Sequence, residues 1–374
     1  MTHVLVTGGA GFVGSHVVDH LVDAGYDVTV VDNLTDQVHD GKPEYLNDDA
    51  TYVWGDVRDR DLMTDLLTEA DVLNHQASAV GVGQSMYEIE RYVEVNTLAT
   101  ARLLDILVTE EIDLEKLVVA SSMSLYGEGA YYCPDCDAAR YPTRRRERDM
   151  ADGVWEHRCE RCEGALEARP TSEEKPLDST SVYAITKRDQ EDLCRAVGRA
   201  YDIPTVALRY FNIYGSRQSL DNPYTGVCAI FSSRIKNGNP PLLFEDGAQS
   251  RDFVHVSDVA RANVAAVEAP IADEAINVGT GNPHTIRDIA DALIDEYGAS
   301  DTVEPEVADD FRAGDIRHCY ADTSRAERLL EFTASVSLRD GIEELVGWAE
   351  TREAEDNFED AHDELKQRGL IRDS

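Results

Sequence analysis

Short apolar runs separated by helical periodicity organise the first third of the chain. His3-Val4-Leu5-Val6 reads as a strand that breaks at Gly8, and helical spacing follows from Ser15 to Ala24. A second strand, Asp27 to Val31, ends at Asp32. Thr51-Tyr52-Val53-Trp54 leading into Gly55-Asp56-Val57, then Val72 to Ala77, then Lys116 to Ala120, continue the series with helical stretches between them. Strands alternating with helices predict an α/β fold built on a Rossmann-type, doubly wound parallel sheet. With 374 residues the chain has room for that domain and a smaller C-terminal substrate lobe. Leu338 to Ala349 regains helical periodicity and predicts a closing helix, followed from Glu350 by an acidic, mobile or partner-packed end.

The first strand–turn–helix carries chemistry. Gly8-Gly9-Ala10-Gly11-Phe12-Val13-Gly14 places glycines where a backbone must approach a pyrophosphate, at a helix N-terminus whose free N–H groups and dipole favour anions. Glycine spacing alone is a weak signal. The second strand strengthens it by ending at Asp32, whose carboxylate is placed to accept from an adenosine ribose and to repel a 2′-phosphate, so NAD is expected over NADP. Asp56 falls just past a strand end, where it could read an adenine amino group. His75 lies among apolar neighbours with no flanking acid or nucleophile, and reads as structural.

Charge changes the picture of the surface. The chain holds 73 acidic residues against 35 basic ones, a net charge of −38, spread along its length as in Asp48-Asp49, Asp309-Asp310 and Glu353 to Asp360. This resembles a salt-adapted, haloarchaeal-type surface. Self-repulsion of this kind is screened in molar salt, where the Debye length is about 3 Å, and destabilises a compact state in dilute buffer. No broad basic face remains for phosphates, so neither nucleic acid nor an anionic membrane is an expected partner. Met1 runs straight into the first strand and no apolar run is long enough to span a bilayer, so a soluble, cytoplasmic protein is expected.

Three further motifs stand in register with the glycines: Ser121-Ser122-Met123-Ser124-Leu125-Tyr126-Gly127, Tyr183-Ala184-Ile185-Thr186-Lys187 and Arg209-Tyr210-Phe211-Asn212-Ile213-Tyr214-Gly215. Tyr183 and Lys187 are four apart on one helical face, so an ammonium can favour the phenolate and lower a tyrosine pKa from about 10. Together the motifs resemble those of extended short-chain dehydrogenases/reductases acting on nucleotide sugars, over about residues 1–349. The resemblance implies Ser122, Tyr183 and Lys187 as the catalytic set, with Tyr183 as general base for a sugar hydroxyl while hydride passes to NAD. It extends the dinucleotide contacts beyond Gly8, Gly11, Gly14, Asp32, Asp56, Tyr183 and Lys187 to Phe12, Val13, Asn33, Val57, Gln76, Ala77 and Asn96. It also implies a homodimer formed through helices.

Dehydratases of this kind carry an Asp-Glu pair after the catalytic hydroxyl residue. Here those places hold Met123 and Ser124, and methionine cannot donate a proton. What remains is 4-epimerisation by oxidation at C4, rotation of the keto sugar and hydride return; a ketoreductase would use the same residues with cofactor exchange. By resemblance, Ser122, Asn212, Val227, Arg251, Arg312 and Asp315 meet the substrate, the arginines suiting a diphosphate because their forks bind it bidentately. Residues 217–227, the cysteine insert and the tail are similar to those of dTDP-L-rhamnose 4-epimerases. UDP-glucose/UDP-galactose-type epimerases are the neighbouring reading, and a non-catalytic, NAD-bound scaffold is the alternative from another class.

Four of the seven cysteines form Cys133-Pro134-Asp135-Cys136 and Cys159-Glu160-Arg161-Cys162, inserted between Ser122 and Tyr183. Two Cys-x-x-Cys knuckles with residues 137–158 between them suit a structural zinc in a ribbon-like segment, 131–168. Zinc would supply the stability that so small a segment lacks, and four thiolates leave no open position for catalysis. The insert also gathers Arg140, Arg144, Arg145, Arg146 and Arg148, which reads as a solvated face, a docking surface, a partner site or a lid near an anionic substrate. Cys194, Cys228 and Cys319 read as packing residues. The expected organisation is an NAD-binding domain over 1–210 with the insert, a substrate lobe over 211–349 interleaved with the last sheet elements, and the tail, 350–374.

Overall fold

A computed structural model of the chain describes residues 1–308, 310–312 and 314–373. Asp309 of the acidic pair, Ala313 of the Arg312–Asp315 stretch and Ser374 of the tail lie outside the described residues.

Seven parallel strands form the main sheet, in the order Glu274–Val278, Thr205–Tyr210, Lys116–Ser122, Val72–His75, His3–Thr7, Asp27–Asp32, Thr51–Trp54. Alternation within each strand sends side chains to both faces, and both are buried. Val4, Val6, Val28, Val30 and Val118 face the helices Phe12–Asp23 and Val256–Glu268, whereas Leu5, Val31, Leu117 and Val119 face Arg60–Thr68, Ala99–Thr109 and Val182–Ala200. Each aliphatic side chain so covered contributes about 1.5–3 kcal/mol. Cys194 belongs to the second of these layers, and Cys228 and Cys319 are equally buried, their thiols pushed up to about 12 by desolvation.

The strand order reverses on either side of His3–Thr7, whose neighbours are Asp27–Asp32 and Val72–His75, and that reversal opens a crevice at the carboxyl ends of the strands. Two strand ends differ from the sequence reading. Val72–His75 stops before Gln76 and Ala77, because Ala77 turns beneath Gly8: a Cβ there would meet the Ala77 backbone at 2.8 Å. Lys116–Ser122 runs past Ala120, carrying Ser122 into register with Tyr210.

A second core, with Phe231, Leu243, Phe253, Leu293, Leu345 and Val346, holds the smaller lobe. The insert forms a three-stranded antiparallel sheet of Ala138–Arg140, Ala130–Cys133 and Glu167–Arg169. Beyond the closing helix, Leu338–Glu350, the acidic tail departs from expectation. It folds into a helix, Phe358–Gln367, and a strand, Ile371–Asp373, that pairs antiparallel with Asp310–Arg312. Phe358, Ala361 and Leu365 recur at helical spacing and are buried against the body, a stripe hidden in sequence by the acids around it. Among the described residues no helix is long and apolar enough to cross a membrane.

Candidate active site

The glycine turn shows which positions the fold requires and which it leaves for something else. A Cβ on Gly14 would meet the Gly8 carbonyl oxygen at 2.1 Å, so Gly14 is needed for the helix to pack on the turn. On Gly11 a Cβ would find only that oxygen, at an ordinary 3.5 Å. Gly11 is also the N-cap of Phe12–Asp23 and brings no side-chain cap. The bare cap and the first-turn N–H groups of Phe12, Val13 and Gly14 form the cradle a pyrophosphate requires. Asp32 is held beside it, accepting from the Ala10 N–H at 3.0 Å and the Leu34 N–H at 2.8 Å. Past the end of the neighbouring strand, Asp56 accepts from Arg58 and from Asn33 Nδ2, and the Arg58 bonds hold its carboxyl down at about 2; Val57 beside it is buried.

Several predicted contacts prove to be spent within the protein. Gln76 Nε2 donates to Asn74, Asn263 and the Tyr210 hydroxyl. Asn96 is fully buried; its Oδ1 accepts from the Ala79 N–H at 2.7 Å and its Nδ2 donates to Ala79 O and Thr186 Oγ1. Asn96 therefore positions the loop after Ala77 against the Val182–Ala200 helix, and no amide atom is left to face a ligand. His75 is enclosed, bonded to Thr7 and Thr100, and lowered to about 3 by desolvation, which keeps it neutral.

Ser181 caps the Val182–Ala200 helix by accepting from the Ala184 N–H, and this sets Tyr183 and Lys187 on the crevice side. Ser122, at the end of its strand, accepts from Ser124 N–H and Oγ, and hydrogen-bonds with Tyr183. Ser122 and Tyr183 thus come together, with Lys187 one turn further along the same helix, but the electrostatics differ from expectation. Desolvation raises the Tyr183 phenol above its ordinary value, opposed only by the Ser122 bond. Lys187 is buried and desolvation lowers its ammonium to about 7. In the protein alone burial, not a neighbouring cation, sets the direction for the phenol. The Lys187 ammonium has no hydrogen bond or ion pair among the described residues, which leaves its donors unspent.

Glu191, four residues after Lys187, was not anticipated. It is buried, accepts from Ser121 Oγ at 2.6 Å, and is clasped by Arg209 at 2.5 and 3.0 Å. This pins the Val182–Ala200 helix to the strands Lys116–Ser122 and Thr205–Tyr210. Its spacing from Tyr183 and Lys187 on one helical face is a signal the sequence does carry.

Across the crevice, Asn212 opens a short strand beside Ser250–His255, and its buried Oδ1 lacks a partner among the described residues. Val227 begins the helix Val227–Lys236 behind the N-cap Gly226. Arg251 is satisfied internally: it donates to the carbonyls of Ser250, Arg317 and Ile316 and to Asp315. Arg312 differs. Its guanidinium stacks 4.6 Å over Phe244 and has no hydrogen bond or ion pair among the described residues; surrounding protein and nearby Arg251 lower its pKa, opposed by Asp315. Of these two arginines, Arg312 is therefore the one with no partner among the described residues to compete with an anion, and Arg251 supports Asp315.

The Sγ atoms of Cys133, Cys136, Cys159 and Cys162 lie within 4.8 Å of one another, with Cys133 to Cys162 at 3.4 Å and Cys136 to Cys159 at 3.9 Å. Tetrahedral zinc with bonds of about 2.3 Å separates its sulfurs by about 3.8 Å, so the donor set and spacing fit. Arg140 Nε donates to Cys159 and favours its thiolate, the ligating form.

Comparison with known proteins agrees with this geometry. The NAD dependent epimerase/dehydratase family model matches residues 4–147 and 162–279, breaking inside the cysteine insert, and the chain belongs to that family. It is 36% identical over 350 residues to a dTDP-L-rhamnose 4-epimerase of Burkholderia thailandensis, covering 92% of this chain and 94% of that one. A UDP-glucose 4-epimerase of Thermotoga maritima, solved with UDP-glucose, superposes with a TM-score of 0.76 at 30% identity, covering 94% and 99% of the two chains. A UDP-glucuronic acid 4-epimerase of Bacillus cereus, solved with UDP-glucuronic acid and NAD, gives 0.76 at 28% identity over 94% and 99%. The chain is thus an NAD-dependent enzyme of the nucleotide-sugar epimerase type.

Proposed function

We propose that the protein is a nucleotide-sugar 4-epimerase acting on dTDP-L-rhamnose and dTDP-6-deoxy-L-talose. The observation that carries the reaction type is the company Ser122 and Tyr183 keep. Met123 is buried where a dehydratase has its acid, Ser124 Oγ bonds Ser122, and the nearby carboxylate of Glu191 is committed to Arg209 and Ser121. The Gly8–Gly14 turn, Asp32, Tyr183 and Lys187 would hold NAD, which supplies reversible hydride acceptance at C4. Tyr183, as phenolate, takes the C4 hydroxyl proton and later returns it. Ser122 hydrogen-bonds the same oxygen, and Lys187 lends positive charge to the phenolate and a donor to the ribose. Arg312 and Asn212 bind the nucleotide diphosphate, and Asp315 completes the clamp on the ribose, while the sugar turns over.

The dTDP-linked substrate is supported by the 36% identity to the Burkholderia thailandensis enzyme over nearly its whole length. UDP-glucose is the second reading, favoured by the Thermotoga maritima neighbour. Zinc in the four-cysteine cluster is structural in this reading. A homodimer is supported by Met86, Ile89, Val93, Leu98 and Ile185, exposed apolar residues on adjoining helical segments. Free thiols poised for a metal suit the reducing cytoplasm.

The test is incubation with NAD and dTDP-L-rhamnose in high salt, with the C4 configuration followed by proton NMR. Epimer formation without net NADH is expected, with loss in Tyr183→Phe. Turnover of UDP-glucose alone would reassign the substrate, net NADH formation with a keto sugar left over would make the protein a ketoreductase, and silence on every sugar would leave the scaffold reading.

A further inference from the structure

The arginine run of the cysteine insert has no place in the mechanism, yet the fold brings it to the substrate clamp. Arg145 is buried and forms a bidentate ion pair with Glu245 of the smaller lobe, both N···O distances 2.7 Å. The same guanidinium donates to the Asp315 carbonyl at 3.1 Å. Arg317, also buried, shares Glu245, grips Asp246, and reaches back to Glu156 of the insert at 2.7 Å. Residues 143–147 are thereby fixed against the stretch that carries Arg312 and Asp315.

Arg144 is the next residue out. Its Cδ and Nη1 lie 3.5 and 3.9 Å from where a Cβ on Gly314 would stand, between the two predicted clamp residues. In a chain with 73 acidic residues, neither the Arg144 nor the Arg146 side chain has an ion pair or hydrogen bond among the described residues. Both line a cavity of about 450 Å³, together with Thr143, Asp178 and Gly314. The Asp178 N–H donates to the Leu125 carbonyl, in the loop that follows Ser122, so the cavity borders both the clamp and the catalytic strand end.

We propose that the insert is a wall of the nucleotide-sugar site, with Arg144 a substrate-binding residue that meets the diphosphate beside Arg312, and Arg145 the positioning residue that holds Arg144 and Asp315 together. The proposal rests on the nucleotide-sugar reading above. A diphosphate is the ligand that two unpaired guanidinium groups select, one on the Arg312–Asp315 stretch and one packed against its Gly314, because each can bind its oxygens with a charge-assisted fork. The body's field of −38 repels such a ligand, so a local cation excess at its binding site is needed. The metal cluster then gains a purpose: it holds the strands from which this arginine run departs.

Calorimetric titration of the NAD-loaded protein with dTDP, UDP and thymidine, in high salt, tests this. Arg144→Gln should weaken dTDP about tenfold and leave thymidine unchanged, since the lost contact is a charge-assisted hydrogen bond to phosphate. Arg161→Gln, at the tip of a knuckle, removes the same charge away from the cavity and should bind dTDP as the parent does. Arg145→Lys should raise KM for the nucleotide sugar with little change in kcat, because a lysine keeps the charge and loses the fork. Equal dTDP binding by Arg144→Gln and the parent, or equal losses with Arg144→Gln and Arg161→Gln, would overturn the proposal. A parent protein that holds NAD but binds neither dTDP nor UDP would instead overturn the nucleotide-sugar reading itself.

Discussion

Gly14 and Gly8 approach so closely that a Cβ on Gly14 would fall 2.1 Å from the Gly8 carbonyl oxygen, whereas one on Gly11 would sit at an ordinary 3.5 Å from the same atom. The two glycines therefore answer to different demands. Gly14→Ala must push the helix off the turn, and we expect a lower melting temperature, corresponding to about 1–3 kcal/mol, as well as lost NAD binding. Gly11→Ala should melt like the parent and still bind NAD poorly, because only a pyrophosphate needs the bare backbone there. Thermal melting paired with NAD titration checks both, and equal stability of the two variants would refute the distinction.

Lys187 gives the NAD-free protein a pH signature. Its folded pKa of about 7 lies below the unfolded value near 10.4, so between these limits the unfolded chain binds the extra proton. Stability should therefore rise with pH from about 7 toward 10, by at most about 1.4 kcal/mol per unit from this group. Tyr183, raised above its ordinary value, acts oppositely once the unfolded phenol ionises near 10. Urea melts across this range should show a shallower rise for Lys187→Met; an identical slope would mean that Lys187 is not desolvated as described.

The sheet, the glycine turn and the placing of Tyr183 and Lys187 on one helix were legible because each rests on a local pattern: apolar runs for strands, glycines for the turn, i to i+4 spacing for Tyr183 and Lys187. Less legible was whatever depends on a partner distant in sequence. Asn96 and Gln76 look like ligand contacts until Ala79, Thr186, Asn263 and Tyr210 consume their amides. Arg251 and Arg312 look equivalent in sequence, and only the carbonyls around Arg251 separate them. The direction of the Tyr183 shift was misread for a related reason, since spacing locates a cation but does not report how deeply both groups are buried.

Metal analysis of the purified protein should find one zinc per chain. Cys133→Ser or Cys159→Ser should lose it and lower the melting temperature, and chelation of the parent should have the same effect. Full stability with no metal bound would show that the insert holds itself through Tyr131, Met150 and the Arg145–Glu245 pair.

Salt should matter more than for an ordinary enzyme of this size. With 73 acidic residues opposed by 35 basic ones, self-repulsion is reduced as potassium chloride rises, and the melting temperature should climb through the molar range. A flat series would contradict the salt-adapted reading of the surface.

The tail supplies the last prediction. Glu364 accepts from the hydroxyls of Tyr87 at 3.0 Å and Tyr224 at 2.9 Å, drawing together the body and the loop before Val227. Ile371 is buried and pairs with Arg312, the arginine left free to meet an anion. A truncation after Arg368 removes that pairing strand but keeps the helix and its Glu364 bonds. The freed strand Asp310–Arg312 then loses the main-chain partner that fixes where Arg312 stacks on Phe244. We expect a several-fold higher KM for the nucleotide sugar with kcat largely retained, since Ser122, Tyr183 and Lys187 lie on other elements. A truncated enzyme with unchanged KM would mean that Phe244 alone orients Arg312, and a fall in kcat alone would place the tail's influence on the chemical step.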